Sequence, residues 1–235
     1  MSEGALPEPH RRETDASPGP AAMNLVAVGA SAGGLEPLQE FFGSLAPHVV
    51  ENAAFVVIQH LSPDYKSMMG ELLERTTRMP IATVEEGTVI EPGHVYLIPP
   101  AFNIFLRDTR SFGVSRKPSG VINLPIDIFI SSAAEFYNDR IIAVILSGTG
   151  SDGVRGVVEV NAAGGLALCQ SPESAQFDGM PRSAIATGFI DDMGTPSFLA
   201  ERVLSHLNRG EAVPLRTDPN AAGSSARAGL SDILR

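Results

Sequence analysis

Two hydrophobic rhythms alternate along the chain. Val26-Ala27-Val28 is a short apolar run of the kind buried in a parallel sheet, and Leu35, Leu38, Phe42 and Leu45 then recur at helical spacing. The same succession returns downstream. Strands are predicted over residues 25–28, 54–59, 81–84, 95–98, 141–146 and 166–170, the run Ile141-Ile142-Ala143-Val144-Ile145-Leu146 being the strongest. Helices are predicted over 35–45, from Met68 with Ser67 as its N-cap, over 126–137 after Pro125, over 154–163 before Gly164-Gly165, and over 181–187 and 196–208. Residues 103–115 read as an antiparallel hairpin with Asp108 to Arg110 at its tip. Apolar strands alternating with helices imply a doubly wound, three-layer α/β fold: a mainly parallel sheet with helices on both faces, plus the small hairpin.

Composition sets the limits of that domain. Of 235 residues, 43% are hydrophobic, enough for a sizeable core. Residues 1–22 hold Pro7, Pro9, Pro18 and Pro20 and no aromatic, and are expected to be a disordered tail. Residues 210–235 are expected to be a flexible C-terminal tail, which leaves 23–209 as the folded domain. A net charge of −10 argues against nucleic acid or an anionic membrane as the main partner. No apolar run approaches the length of a membrane span, and the polar N-terminus lacks a secretory core. The single cysteine, Cys169, excludes an internal disulfide and suits a reducing cytoplasm; its place in a strand marks it as packing.

Candidate chemistry begins on the bend after the first strand. Gly29, Ser31 and Gly33 have the G-x-S-x-G spacing of a nucleophile elbow, in which small neighbours leave the serine oxygen exposed. From these residues alone a phosphate-binding glycine turn fits about as well. In a doubly wound fold the site lies at the C-terminal ends of the strands, a rule that gathers Ser31, His60 and Asp152 from three separate strands. Nucleophilic acyl transfer needs those three types: a serine that attacks, a histidine that takes its proton, and a carboxylate that orients the histidine. Each also has a plainer reading, His60 as a hydrogen-bonded loop residue and Asp152 as the N-cap of the helix at Val154. The chain order Ser, His, Asp differs from the α/β-hydrolase order. Serine replaces the second glycine of a dinucleotide fingerprint, and no acid follows Gln59-His60 to hold a ribose. His10, His48, His94 and His206 lack metal-ligand spacing, so neither a metal nor another cofactor is expected.

Together these motifs resemble one family. Val28-Gly29-Ala30-Ser31-Ala32-Gly33-Gly34, Ile58-Gln59-His60-Leu61 and Leu146-Ser147-Gly148-Thr149-Gly150-Ser151-Asp152-Gly153 are similar to motifs of CheB-type protein-glutamate methylesterases of bacterial chemotaxis. Val95-Tyr96-Leu97-Ile98-Pro99-Pro100 and Asp178-Gly179-Met180-Pro181-Arg182-Ser183-Ala184 resemble that family too. The resemblance implies a cytoplasmic serine hydrolase that removes methyl esters from glutamates on the cytoplasmic helices of chemoreceptors or related signalling proteins. Methanol is released, and some members also deamidate glutamine. It places the catalytic serine, histidine and aspartate on Ser31, His60 and Asp152, and the oxyanion-hole backbone donors on Thr149 and Ala32. Chemotaxis enzymes commonly have methionine at the position of Thr149. They usually carry a receiver domain before the esterase; only the expected tail precedes Met23 here, so control is expected to come from a separate partner or to be absent. Leu124-Pro125-Ile126-Asp127 looks closer to esterase domains fused to a receptor methyltransferase. The competing readings are a catalytically weak scaffold module of a chemosensory complex, and a nucleotide-binding domain built on the 29–34 turn.

Overall fold

Seven parallel strands form the centre of the structure, a computed structural model that describes residues 23–46, 50–59, 69–118 and 120–209. In chain order they are β1 (Asn24–Ala30), β2 (Ala53–Gln59), β3 (Ile81–Thr83), β4 (Val95–Leu97), β7 (Ile141–Ile145), β8 (Leu166–Gln170) and β9 (Asp192–Gly194). Across the sheet the order is β3-β4-β2-β1-β7-β8-β9. β5 (Phe102–Leu106) and β6 (Phe112–Arg116) pair antiparallel as a separate hairpin. The helices are α1 (Leu35–Gly43), α2 (Met69–Glu74), α3 (Pro125–Tyr137), α4 (Val154–Ala162), α5 (Gly179–Ile185) and α6 (Pro196–Arg209). The architecture is the three-layer α/β fold expected from the alternating pattern.

Side-chain alternation divides the core between the two sheet faces. Leu25 and Ala27 of β1, Val56 and Ile58 of β2, and Ile141, Ala143 and Ile145 of β7 pack with α3, α4, α5 and the hairpin. The intervening Val26, Val28, Phe55, Val57, Ile142 and Val144 pack with α1, α2 and α6. Both faces of each central strand are therefore apolar, which is why these segments read as unbroken runs.

The strand order places a topological switch point beside β1. The chain passes from β1 outward to β2 and β4, then returns to β7 on the other side. The helix after β1 covers one face and the helix after β7 the other, so the two connections diverge and leave a crevice between them. α3 feeds β7 and runs back along the sheet, which brings the N-terminus of α3 to that same edge.

Two elements depart from the sequence pattern. β9 was not expected; Asp-Met-Gly is too short and too polar to register as a strand, yet it pairs with Leu168–Gln170 at the sheet edge. The helix expected from residue 181 starts at Gly179, so that the fully buried Met180 belongs to its first turn. The two expected tails and the proposed cap Ser67 lie outside the described residues.

Candidate functional site at the switch point

Ser31 leaves β1 directly onto a turn that opens α1. Its backbone N–H donates to the Ser147 carbonyl at 3.0 Å, and its own carbonyl accepts the Gly34 N–H at 3.0 Å. Gly33 has φ +64°, and a Cβ there would lie 2.8 Å from a ring carbon of Phe177. Glycine is therefore demanded twice, by conformation and by close approach. On the other side, a Cβ on Gly148 would lie 2.9 Å from the Ser31 Cβ. The loop between β7 and α4 thus packs directly against the serine.

That loop is anchored through Ser147, which is fully buried. Its hydroxyl donates to the Ala32 carbonyl at 3.0 Å and accepts the Phe177 N–H at 3.0 Å. Its backbone N–H donates to Gln170 Oε1 at 2.8 Å, while Gln170 Nε2 donates to the Ser174 carbonyl. The Gly148 N–H completes the clamp by donating to the Phe177 carbonyl at 2.9 Å. Three chain segments, around residues 32, 147 and 177, are thereby fixed to one another.

Backbone donors are available in the same place. The Met180 N–H holds the Gly148 carbonyl at 2.8 Å. In the trans Gly148–Thr149 peptide this turns the Thr149 N–H away from Met180. Neither that N–H nor the Ala32 N–H donates to any group among the described residues. Thr149 itself is exposed.

Asp152 is only 2% exposed, and its carboxylate is not where the plainer sequence reading put it. α4 begins after Gly153 with no side-chain cap of its own. Asp152 instead caps α3, accepting the Ile126 N–H on Oδ2 and the Asp127 N–H on Oδ1, both at 2.9 Å. These are the N2 and N3 donors that an N-cap side chain normally takes, and Leu124, the residue at that position of α3, has no group to take them.

His60 lies outside the described residues; Gln59, the residue before it, pairs with Ala30, the residue before Ser31. Among the other histidines, His10 and His48 also lie outside the described residues, and His94 Nδ1 meets the Pro92 carbonyl in a turn. Cys169 is fully buried, and burial pushes its thiol up to about 12, as befits a packing residue. A cleft of about 950 Å³ runs between α3, α4 and the residues Pro118 and Ile122–Leu124, and Ser31 does not line it. Chemistry rather than volume therefore singles out the switch point. Sequence reasoning missed Ser147, Gln170 and Asp127; each acts through a hydrogen bond to a partner more than twenty residues away, for which a single sequence carries no local signal.

Known proteins are similar to this chain in sequence and in fold. The CheB methylesterase family profile matches residues 26–203. An uncharacterized 104.1 kDa protein in the hypE 3′ region of Rhodobacter capsulatus is 53% identical over 123 residues, which are 52% of this chain and 13% of that protein. The protein-glutamate methylesterase/protein-glutamine glutaminase of Photorhabdus laumondii is 32% identical over 193 residues, covering 80% of this chain and 54% of that one. The chain thus spans about half the length of that methylesterase. The crystal structure of the Thermotoga maritima CheB methylesterase catalytic domain matches with a TM-score of 0.74 at 28% identity, covering 79% of this chain and 100% of the other. The profile match over most of the length, the shared fold and the identity to named methylesterases agree: this chain belongs to the CheB methylesterase family.

Proposed function

We propose that this domain is a serine hydrolase that removes methyl esters from glutamate side chains on the cytoplasmic helices of chemoreceptor-type proteins. The observation that carries the reading is the placement of Ser31 on a tight turn at the switch point, packed against the loop that bears Thr149 and Asp152. Ser31 Oγ attacks the ester carbonyl while His60 takes its proton, and Asp152 orients and stabilises the imidazolium. The Ala32 and Thr149 N–H groups receive the oxyanion; one such donor is worth about 100- to 1000-fold in rate. Collapse expels methanol, protonated by His60, and leaves a glutamyl ester on Ser31. Water then attacks with His60 again as base, which frees the glutamate and regenerates the serine.

The same attack on a glutamine amide would release ammonia, with His60 supplying the proton to the poorer leaving group. The paired names of the relatives, methylesterase and glutaminase, support both outcomes. Thr149 contributes only its backbone donor, so Thr149→Met should keep most turnover; a loss of about 100-fold or more would show that the side chain matters. Labelling with a fluorophosphonate followed by peptide mass spectrometry tests the nucleophile. The expected adduct is one per chain, on the peptide containing Ser31 and absent in Ser31→Ala. Labelling elsewhere, or equal labelling of the variant, would overturn the assignment.

A further inference from the structure

α3 and α4 are capped in a crossed manner. Leu124 and Gly153 stand at their N-cap positions, and neither supplies a side-chain hydrogen bond. Asp152, just before α4, takes the N2 and N3 donors of α3. Asp127, the N3 residue of α3, takes the Gly156 N–H in the first turn of α4 at 2.8 Å. The two caps meet in one residue, since the backbone N–H of Asp127 is one of the two that Asp152 accepts while the side chain of Asp127 accepts the Gly156 N–H. Asp152 has 2% and Asp127 7% of its surface exposed.

We propose that Asp127 is a positioning residue for the hydrolysis: by tying the start of α4 to the start of α3 it fixes the carboxylate of Asp152. This rests on the serine-hydrolase reading above. Asp152 sits on a short glycine-bounded loop, Gly150 to Gly153. Two contacts with α3 help to set its aim, and both depend on where α4 starts relative to α3. Asp127 closes that loop of constraints. A second observation points past simple capping. Burial pushes the Asp127 carboxyl above the usual range, the Gly156 N–H opposes this, and the nearby Asp152 charge adds to it. An asparagine or serine could meet the Gly156 N–H at lower desolvation cost. What the carboxylate adds is a charge-assisted bond, roughly twice as strong as a neutral one.

The test compares wild type, Asp127→Ala and Asp127→Asn in the full chain, each titrated to completion with a fluorophosphonate and assayed for methanol release. A group that only stabilises the fold changes how many molecules are active, not how fast each works. The expected result is one label per chain in every variant. For Asp127→Ala the labelling rate and kcat should be at least tenfold lower and KM within twofold. Asp127→Asn, which keeps an acceptor for Gly156, should lose two- to fivefold. Wild-type rates per labelled molecule in the alanine variant would overturn the proposal. Should that variant not fold, wild-type rates in Asp127→Asn would do the same. If wild type itself takes no label on Ser31, the hydrolase reading has failed and not merely the role of Asp127.

Discussion

The Ser147 hydroxyl is where the segments around Ser31 meet. It is one oxygen, fully buried, that both donates and accepts between Ala32 and Phe177. Ser147→Ala removes it and takes this partner from the part-buried Phe177 N–H and Ala32 carbonyl, which should cost about 1 kcal/mol in urea unfolding. A variant as stable as wild type would mean that the two segments are held by other contacts. Gly148 next to it carries a different constraint. A methyl group there collides first with the Met180 sulfur and meets the Ser31 Cβ at 2.9 Å, so Gly148→Ala should shift the loop against the serine and lower kcat by about tenfold or more, given how steeply rates fall with small misplacements. Methanol release at saturating substrate measures it, and unchanged kcat would show that the turn can yield. At this scale the sequence was legible only in part. Ser31 and Asp152 stood out because reactive side-chain types at strand ends are sparse. The hydrogen bonds of Ser147 and the exchange of caps between Asp127 and Asp152 depend on tertiary placement that no local pattern encodes.

Elements were easier to read than their partners. The runs that became β1, β2, β7 and β8 are apolar on both faces, so their burial alone announces them. The hairpin β5–β6 is legible with Asp108 to Arg110 at its tip, where Asp108 accepts the Arg110 N–H at 2.7 Å. β9 escaped because an edge strand of three residues buries little and needs no apolar signature. The role of α3 was also hidden: the pattern shows a helix, but not that its N-terminus lies beneath Asp152. Ile126, fully buried in the first turn of α3, packs against β1 where Gly29 leaves room for it. Ile126→Ala should cost about 2–5 kcal/mol of stability, as truncation of a buried aliphatic side chain generally does. A loss under about 1 kcal/mol by denaturant titration would mean that α3 is held chiefly by its caps.

At the scale of the molecule, parallel order and connection handedness convert distant sequence positions into neighbours. Ser31 and Asp152 are separated by more than half of the domain, yet they follow adjacent strands, β1 and β7, where the connections diverge. Every group named at the described site lies between Ser31 and Met180, so deleting residues 1–22 should leave the hydrolysis rate within about twofold. A tenfold rise on truncation would identify that segment as inhibitory. The account as a whole turns on Ser31 as a nucleophile toward a protein methyl ester. Methanol release from a methylated chemoreceptor, compared between the full chain and Ser31→Ala at matched folded concentration, tests it most directly. The predicted result is release by wild type and a loss of at least about 10³-fold in the variant, with an unchanged thermal melt. Equal release by both proteins, or none by a folded wild type across several methylated receptors, would contradict it.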